Sequence, residues 1–132
     1  FAVHVMACMR NNGICVLYDD MAEILEIFQK ADVLVLATPV YFYGVTAQMK
    51  CFIDRTYPIW QNLGHKDVYY IVSAGLGTDI IERSIGDLDG FVEHLDHSVV
   101  KGRIYAPNIM EAGLVKECPQ VLQQAYDMGK HV

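Results

Sequence analysis

The sequence predicts an α/β domain built on a parallel, doubly wound sheet, and three observations carry that expectation. Continuous apolar segments alternate along the chain with segments whose apolar residues recur at helical spacing. The clearest apolar segment, Val33-Leu34-Val35-Leu36-Ala37, shows no polar alternation, which suits a strand covered on both faces. It stops at Thr38-Pro39, and the aromatic loop Tyr41-Phe42-Tyr43-Gly44 follows before a helix begins. In open parallel sheets, ligands sit outside the carboxyl ends of the strands, where such a loop lies.

The elements follow in order. Residues 1–7 are apolar, interrupted by His4, and read as a short strand. Residues 8–18 read as a loop, with a turn signal at Asn11-Asn12-Gly13. Asp20 and Glu23 fit a capping box, behind which Met21, Ile24, Leu25 and Phe28 form one helical stripe that ends near Lys30. After the strand at 33–37, Thr46 caps a helix with Met49, Phe52 and Ile53 on one face. Residues 68–74 form the next strand, closing in Gly75-Leu76-Gly77-Thr78.

Ile81, Ile85, Leu88, Val92 and Leu95 then recur at the spacing of one helix. Gly86 and Gly90 each cost it about 1 kcal/mol relative to Ala. Residues 99–106 are a further strand. Pro119 suits the first turn of a last helix carrying Val121, Leu122 and Ala125, with Gly129 as its stop. The order β-α-β-α-β-α-β-α implies right-handed crossovers in a single domain over residues 1–132, without repeats or linkers.

Composition narrows the function classes. The chain has 132 residues and is 53% hydrophobic, enough for a sizeable core without disulfides or metals. The net charge of −6 comes from interspersed rather than segregated charges, which argues against nucleic acid or an anionic membrane as main partner. No apolar stretch approaches the ~20 residues of a membrane span. Four scattered cysteines, Cys8, Cys15, Cys51 and Cys118, suggest free thiols in a reducing cytosol. Cys51 and Cys118 fall in predicted helices and read as inert core residues.

Two stretches are the candidate binding residues. Thr38, Pro39, Val40, Tyr41, Phe42 and Tyr43 place aromatic rings beside backbone fixed by proline, which suits a flat, partly apolar ligand. Ser73, Ala74, Gly75 and Gly77 leave room for a ring and let backbone approach it. Both end strands expected to be neighbours, so both should face one cleft. No Ser-His-Asp set, paired carboxylates or metal-ligand pattern stands out, so no catalytic side chain or metal is expected. His94 and His97 read as i, i+3 on one solvated helix face.

The stretch ADVLVLATPVYFYGVTAQMKCFIDR, residues 31–55, resembles the flavodoxin-like, NAD(P)H-dependent FMN reductase family, related to iron–sulfur flavoproteins and NAD(P)H:quinone reductases. The matching positions are Ala31, Asp32, Thr38, Pro39, Val40, Tyr41, Phe42, Lys50, Phe52, Asp54 and Arg55. The resemblance implies a three-layer α/β/α fold, FMN as cofactor and NAD(P)H as co-substrate. It implies hydride transfer through the flavin to a small acceptor: a quinone, free flavin, an azo or nitro compound, or a metal oxyanion. The cofactor then carries the redox chemistry while the protein supplies position and electrostatics.

Relatives complete the flavin cleft from a neighbouring subunit, so a cytoplasmic homodimer or homotetramer is expected, with Tyr57-Pro58-Ile59-Trp60 as a further aromatic surface. Lys50, Asp54 and Arg55 suit surface pairing or a subunit contact. Iron–sulfur relatives carry four clustered cysteines near Cys8. Val5 stands where many have one, and a cluster needs about four thiolates, so no such centre is expected. The family's first strand and its phosphate-binding loop have no match in this chain. They are expected ahead of Phe1, in a unit of ~30 to 40 residues. A flavodoxin-type electron carrier and, were the chain complete, a flavin-free interaction module are the alternative readings.

Overall fold

The computed structural model describes residues 2–12, 14 and 16–132, with side chains from residue 6 onward. Gly13 of the expected turn and Cys15 lie outside the described residues. The elements are α1 (Ala2–Arg10), α2 (Met21–Lys30), β1 (Val33–Pro39), α3 (Ala47–Thr56), β2 (Asp67–Ser73), α4 (Thr78–Ser84), α5 (Gly86–Glu93), β3 (Val99–Ala106) and α6 (Pro119–Gly129), with 3-10 turns at Tyr57–Asn62 and Leu114–Glu117.

The strands form one parallel sheet in the order β1-β2-β3. Val33 pairs with Asp67 and Pro39 with Ser73, and Ser73 pairs in turn with Ala106. All three carboxyl ends are therefore level, and the loops that leave them meet at one rim.

Alternation along the strands sorts their side chains onto two faces. One face carries Leu34, Leu36, Val68, Tyr70 and Val72, and it holds the core. Met21, Leu25 and Phe28 of α2, Ile81 of α4, and Leu88, Phe91 and Val92 of α5 pack there. Phe28, Phe52 and Phe91 form a cluster with centroids 5.5 to 6.2 Å apart. Lys66 is buried below it, donating from Nζ to the Ala31 carbonyl at 2.6 Å and lying 5.1 Å from the Phe28 ring centroid. Burial pushes its pKa down. Tyr70 donates to Asp89 at 3.1 Å, and Asp89 also accepts from Arg103 at 2.9 Å.

The other face is only partly covered. The α6 side chain of Met128 packs over Gly102 beside Tyr69. Toward β1 the face is open: Val35 is 51% and Ile71 40% exposed.

Several expectations are corrected. Of the strand expected at residues 1–7, the described residues 2–7 are helical instead, because α1 runs over residues 2–10 and takes Cys8 with it. The apolar run there has no strand beside it among the described residues, so its backbone bonds internally. The β1 strand is not covered on both faces, since Val33, Val35 and Ala37 are exposed. Asp20 makes no side-chain cap. Asp19 instead accepts from the Met21 amide at 3.1 Å, while the Arg55 guanidinium grips its carboxylate at 2.7 and 2.8 Å and holds its pKa below the usual range.

The stripe from Ile81 to Leu95 divides into α4 and α5 at Ile85. His94 follows the end of α5, and His97 lies beyond it at φ 53°, so the two do not share a helix. Cys51 and Cys118 are half-buried rather than core residues. The Thr46 cap forms as expected, its hydroxyl accepting from the Met49 amide at 3.1 Å, and Lys50 pairs with Asp54 one turn on.

Candidate functional site

The chain leaves β1 through a tight two-residue reversal. The Tyr41 amide donates to the Gly44 carbonyl at 3.0 Å, and the Gly44 amide returns the bond to Tyr41 at 3.1 Å. Phe42 (φ 48°) and Tyr43 (φ 63°) both sit in the left-handed region, as a primed turn demands. Asn and Gly ordinarily fill such positions, whereas each bulky residue pays ~1–2 kcal/mol there. Backbone strain of this kind concentrates at sites where it serves a function. Its result here is display, for Phe42 is wholly exposed.

The second wall follows β2. The Val40 amide donates to the Ser73 carbonyl at 2.8 Å, tying the two loops together. A third segment, unforeseen from sequence, follows β3: the Asn108 amide donates to the Leu76 carbonyl at 3.0 Å and the Ile109 amide to Ala74 at 2.8 Å. This brings Met110 over Gly75, where a Cβ would lie 2.6 Å from the Met110 Sδ. The closeness at Gly75 is thus already used by a side chain of this chain.

Between these walls lies a cavity of about 200 Å³ lined by Val40, Phe42, Tyr43, Ala74, Gly75, Leu76 and Ile80. Five of the ten expected site residues line it. Leu76, Ile80 and the overlying Met110 were missed, because each reads as an ordinary apolar residue. Thr38, Pro39, Tyr41, Ser73 and Gly77 shape the walls without lining the cavity. Thr38 is buried, donating to the Pro39 carbonyl at 2.9 Å and accepting from the Thr46 amide at 3.2 Å, so its hydroxyl holds the loop against α3. Among the described residues, the amides of Gly75, Leu76 and Gly77 donate no hydrogen bond.

A larger cavity, of about 970 Å³, opens elsewhere, where Met6, Ile53, Tyr57, Trp60 and Phe91 line a space between helices. None of the carboxyl-end loops reaches it. Among the described residues no cluster of three or more His, Cys, Asp or Glu is placed to hold a metal, and no helix is long and apolar enough to cross a membrane.

Level parallel strands, with an aromatic cleft at their carboxyl ends, agree with the match of residues 3–106 to the family described as NADPH-dependent FMN reductase. The chain belongs to this family. An iron-sulfur flavoprotein of Archaeoglobus fulgidus is 44% identical over 68 residues, covering 49% of this chain and 31% of the relative. Another from Methanosarcina thermophila is 44% identical over 50 residues, covering 38% and 26%. The match thus spans less than a third of the length of these curated relatives.

Solved structures show the same flavodoxin-like fold. The Trp repressor binding protein of Bacillus subtilis superposes with a TM-score of 0.71 at 23% identity, over 83% of this chain and 70% of that one. A putative quinone reductase of Klebsiella pneumoniae gives 0.62 at 17%, over 85% and 55%.

FMN is the cofactor that membership implies, and the cleft fits one end of it. Its volume is below the ~300–1,000 Å³ of complete ligand pockets, so it accepts part of a flat ring rather than a whole nucleotide. The free amides of Gly75 and Leu76 suit the carbonyl oxygens of a pyrimidine edge, and Val40, Ala74 and Ile80 suit the apolar ring.

Proposed function

We propose that this chain supplies the ring-binding wall of an FMN-dependent oxidoreductase that uses NAD(P)H to reduce a small acceptor such as a quinone, free flavin, or an azo or nitro compound. The convergence of the loops after β1, β2 and β3 on one aromatic, partly apolar cleft carries this reading. The flavin would supply hydride acceptance and delivery; the chain's own residues bind, orient and exclude water. Val40, Phe42 and Tyr43 offer one wall, and Ala74, Gly75 and Leu76 the other, with Met110 packed against Gly75. The cleft opens to solvent beside Phe42, the side from which NAD(P)H and acceptor would enter.

A flavodoxin-type carrier differs in needing a separate reductase. Steady-state NAD(P)H oxidation with a soluble quinone therefore tests the reading, and turnover by the purified flavoprotein alone is the expected result. Binding is tested by titrating apo-protein with FMN. Gly75→Val drives branched carbons into Met110, which must shift beside the cleft, and should weaken FMN binding more than it lowers the apo melting temperature. Lys101→Ala, an ion pair with Asp67 at the far end of β2, is the control. Unchanged FMN affinity in folded Gly75→Val protein would move the cofactor elsewhere.

The same reading includes a homodimer or homotetramer in the cytoplasm. Tyr57 and Trp60 stack at 6.4 Å on the larger cavity, and a Cβ at Gly86 or Gly90, which also line it, would meet nothing within 4 Å. A second copy of the chain is the occupant that makes use of that space. Sedimentation at micromolar concentration should show a species larger than the monomer.

A further inference from the structure

We infer that Arg83 is a positioning residue, acting through Tyr43 to hold the Phe42 ring as the stacking face for a planar acceptor. The inference rests on the flavin reading above and deepens it, because it names how the second substrate is recognised. Arg83 lies on α4, and its guanidinium carbon sits 4.9 Å from the centroid of the Tyr43 ring. Among the described residues no carboxylate is within ion-pairing distance of Arg83, so the ring is its described contact. A guanidinium is planar and weakly hydrated, and stacks on aromatic faces where an ammonium serves less well.

The contact lies where the backbone needs it. Tyr43 is the second of two adjacent residues in the left-handed region, and bulky side chains leave that region unless something holds them there. The hydrogen bonds between Tyr41 and Gly44 close the turn from its base. Arg83 holds it from the side, through the Tyr43 ring. The other residue, Phe42, is left with its ring in solvent although it also lines the cavity. An apolar ring displayed on a strained turn has no packing role among the described residues. It does present a flat face beside the cleft, where a planar acceptor can stack on it. Offset stacking on such a face discriminates planar acceptors from small or rounded ones.

The test uses the full-length flavoprotein with NADH and a naphthoquinone, measuring KM, kcat and FMN affinity for wild type, Arg83→Ala, Arg83→Lys, Tyr43→Leu, Phe42→Ala and the Arg83→Ala/Tyr43→Leu double variant. Loss of the cation–ring contact should raise the quinone KM about two- to fivefold in Arg83→Ala. Loss of the stacking face should raise it about three- to tenfold in Phe42→Ala. In both, the KM change should exceed the change in kcat and in FMN affinity. Arg83→Lys should recover part of the loss, and the double variant should be no worse than the worse single, since both remove one contact.

A quinone KM in Arg83→Ala indistinguishable from wild type overturns the inference, as does strict additivity in the double variant. A loss of FMN affinity as large as the KM rise assigns Arg83 to the flavin pocket and overturns its role toward the acceptor. A wild-type protein that binds no FMN overturns the flavin reading itself and removes this inference with it, an outcome separable from the others by the titration alone.

Discussion

The two faces of the sheet are made from the same strands and almost the same residue types, yet they carry different loads. Val68, Tyr70 and Val72 are sealed under α2, α4 and α5, at no more than 1% exposure. Their neighbours in sequence, pointing the other way, meet α6 on the β3 side and nothing described on the β1 side. A run of apolar residues therefore states that a strand is apolar, and does not by itself state that both sides are closed. Coverage is decided by which helices return to which face.

The largest effect should come from the sealed face. Leu88, with no exposed surface, packs there from α5, and Leu88→Ala should cost about 2–5 kcal/mol in chemical denaturation. Next is the part of the second face that α6 does cover. A Cβ at Gly102 would lie 2.6 Å from Met128 Cε and 3.2 Å from a Tyr69 ring carbon, so Gly102→Val should destabilise by about 1–3 kcal/mol. Combining it with Met128→Ala should return part of that loss, since both changes act on one contact.

How much of this was legible in the sequence follows the same division. The three strands and the Thr46 cap were readable because continuous apolar runs and caps are local signals. Residues 1–7 misled because a short apolar run fits a strand and a helix equally, and only a neighbour decides between them. The cap at Asp19 was hidden because its choice over Asp20 depends on Arg55, 36 residues away in sequence. At the site, glycines and loop aromatics announced two walls. The third, with Met110, was silent, because backbone pairing of residues 108–109 with the β2 loop leaves no mark on residue type.

Alkaline titration should separate two groups at the sealed face. The Lys66 pKa is lowered in the folded chain by burial, so between that value and the ordinary lysine value of about 10.4 the unfolded chain binds more protons, and stability rises with pH. The Tyr70 pKa is raised, first by burial and then by Asp89, so stability is lost as pH climbs past the ordinary tyrosine value of about 10. Wild-type stability should therefore turn over near pH 10. Lys66→Met should abolish the rise and Tyr70→Phe the fall, both readable from denaturation midpoints against pH.

The smallest effect belongs to the open face. Val35→Thr should change stability by no more than about 0.5 kcal/mol, as expected of an exposed position. A loss above about 1.5 kcal/mol in the full-length protein would show that this face is buried there, and the contrast between the two faces would vanish.

The open side of β1 also governs how the polypeptide behaves in a crowded solution. Among the described residues the strand is an outer member of the sheet, and its residues 33–37 combine β-branched and apolar side chains without a charge. Such an edge is a template on which another extended chain can add itself, residue by residue. Two neighbours restrain it. Asp32 puts an exposed carboxylate at its start, and Pro39 withholds an amide at its end. Colloidal stability of the isolated chain thus depends on those two flanking residues and on its net charge of −6, and mild acid, which removes that charge, is the condition under which β1 becomes a nucleus for precipitation.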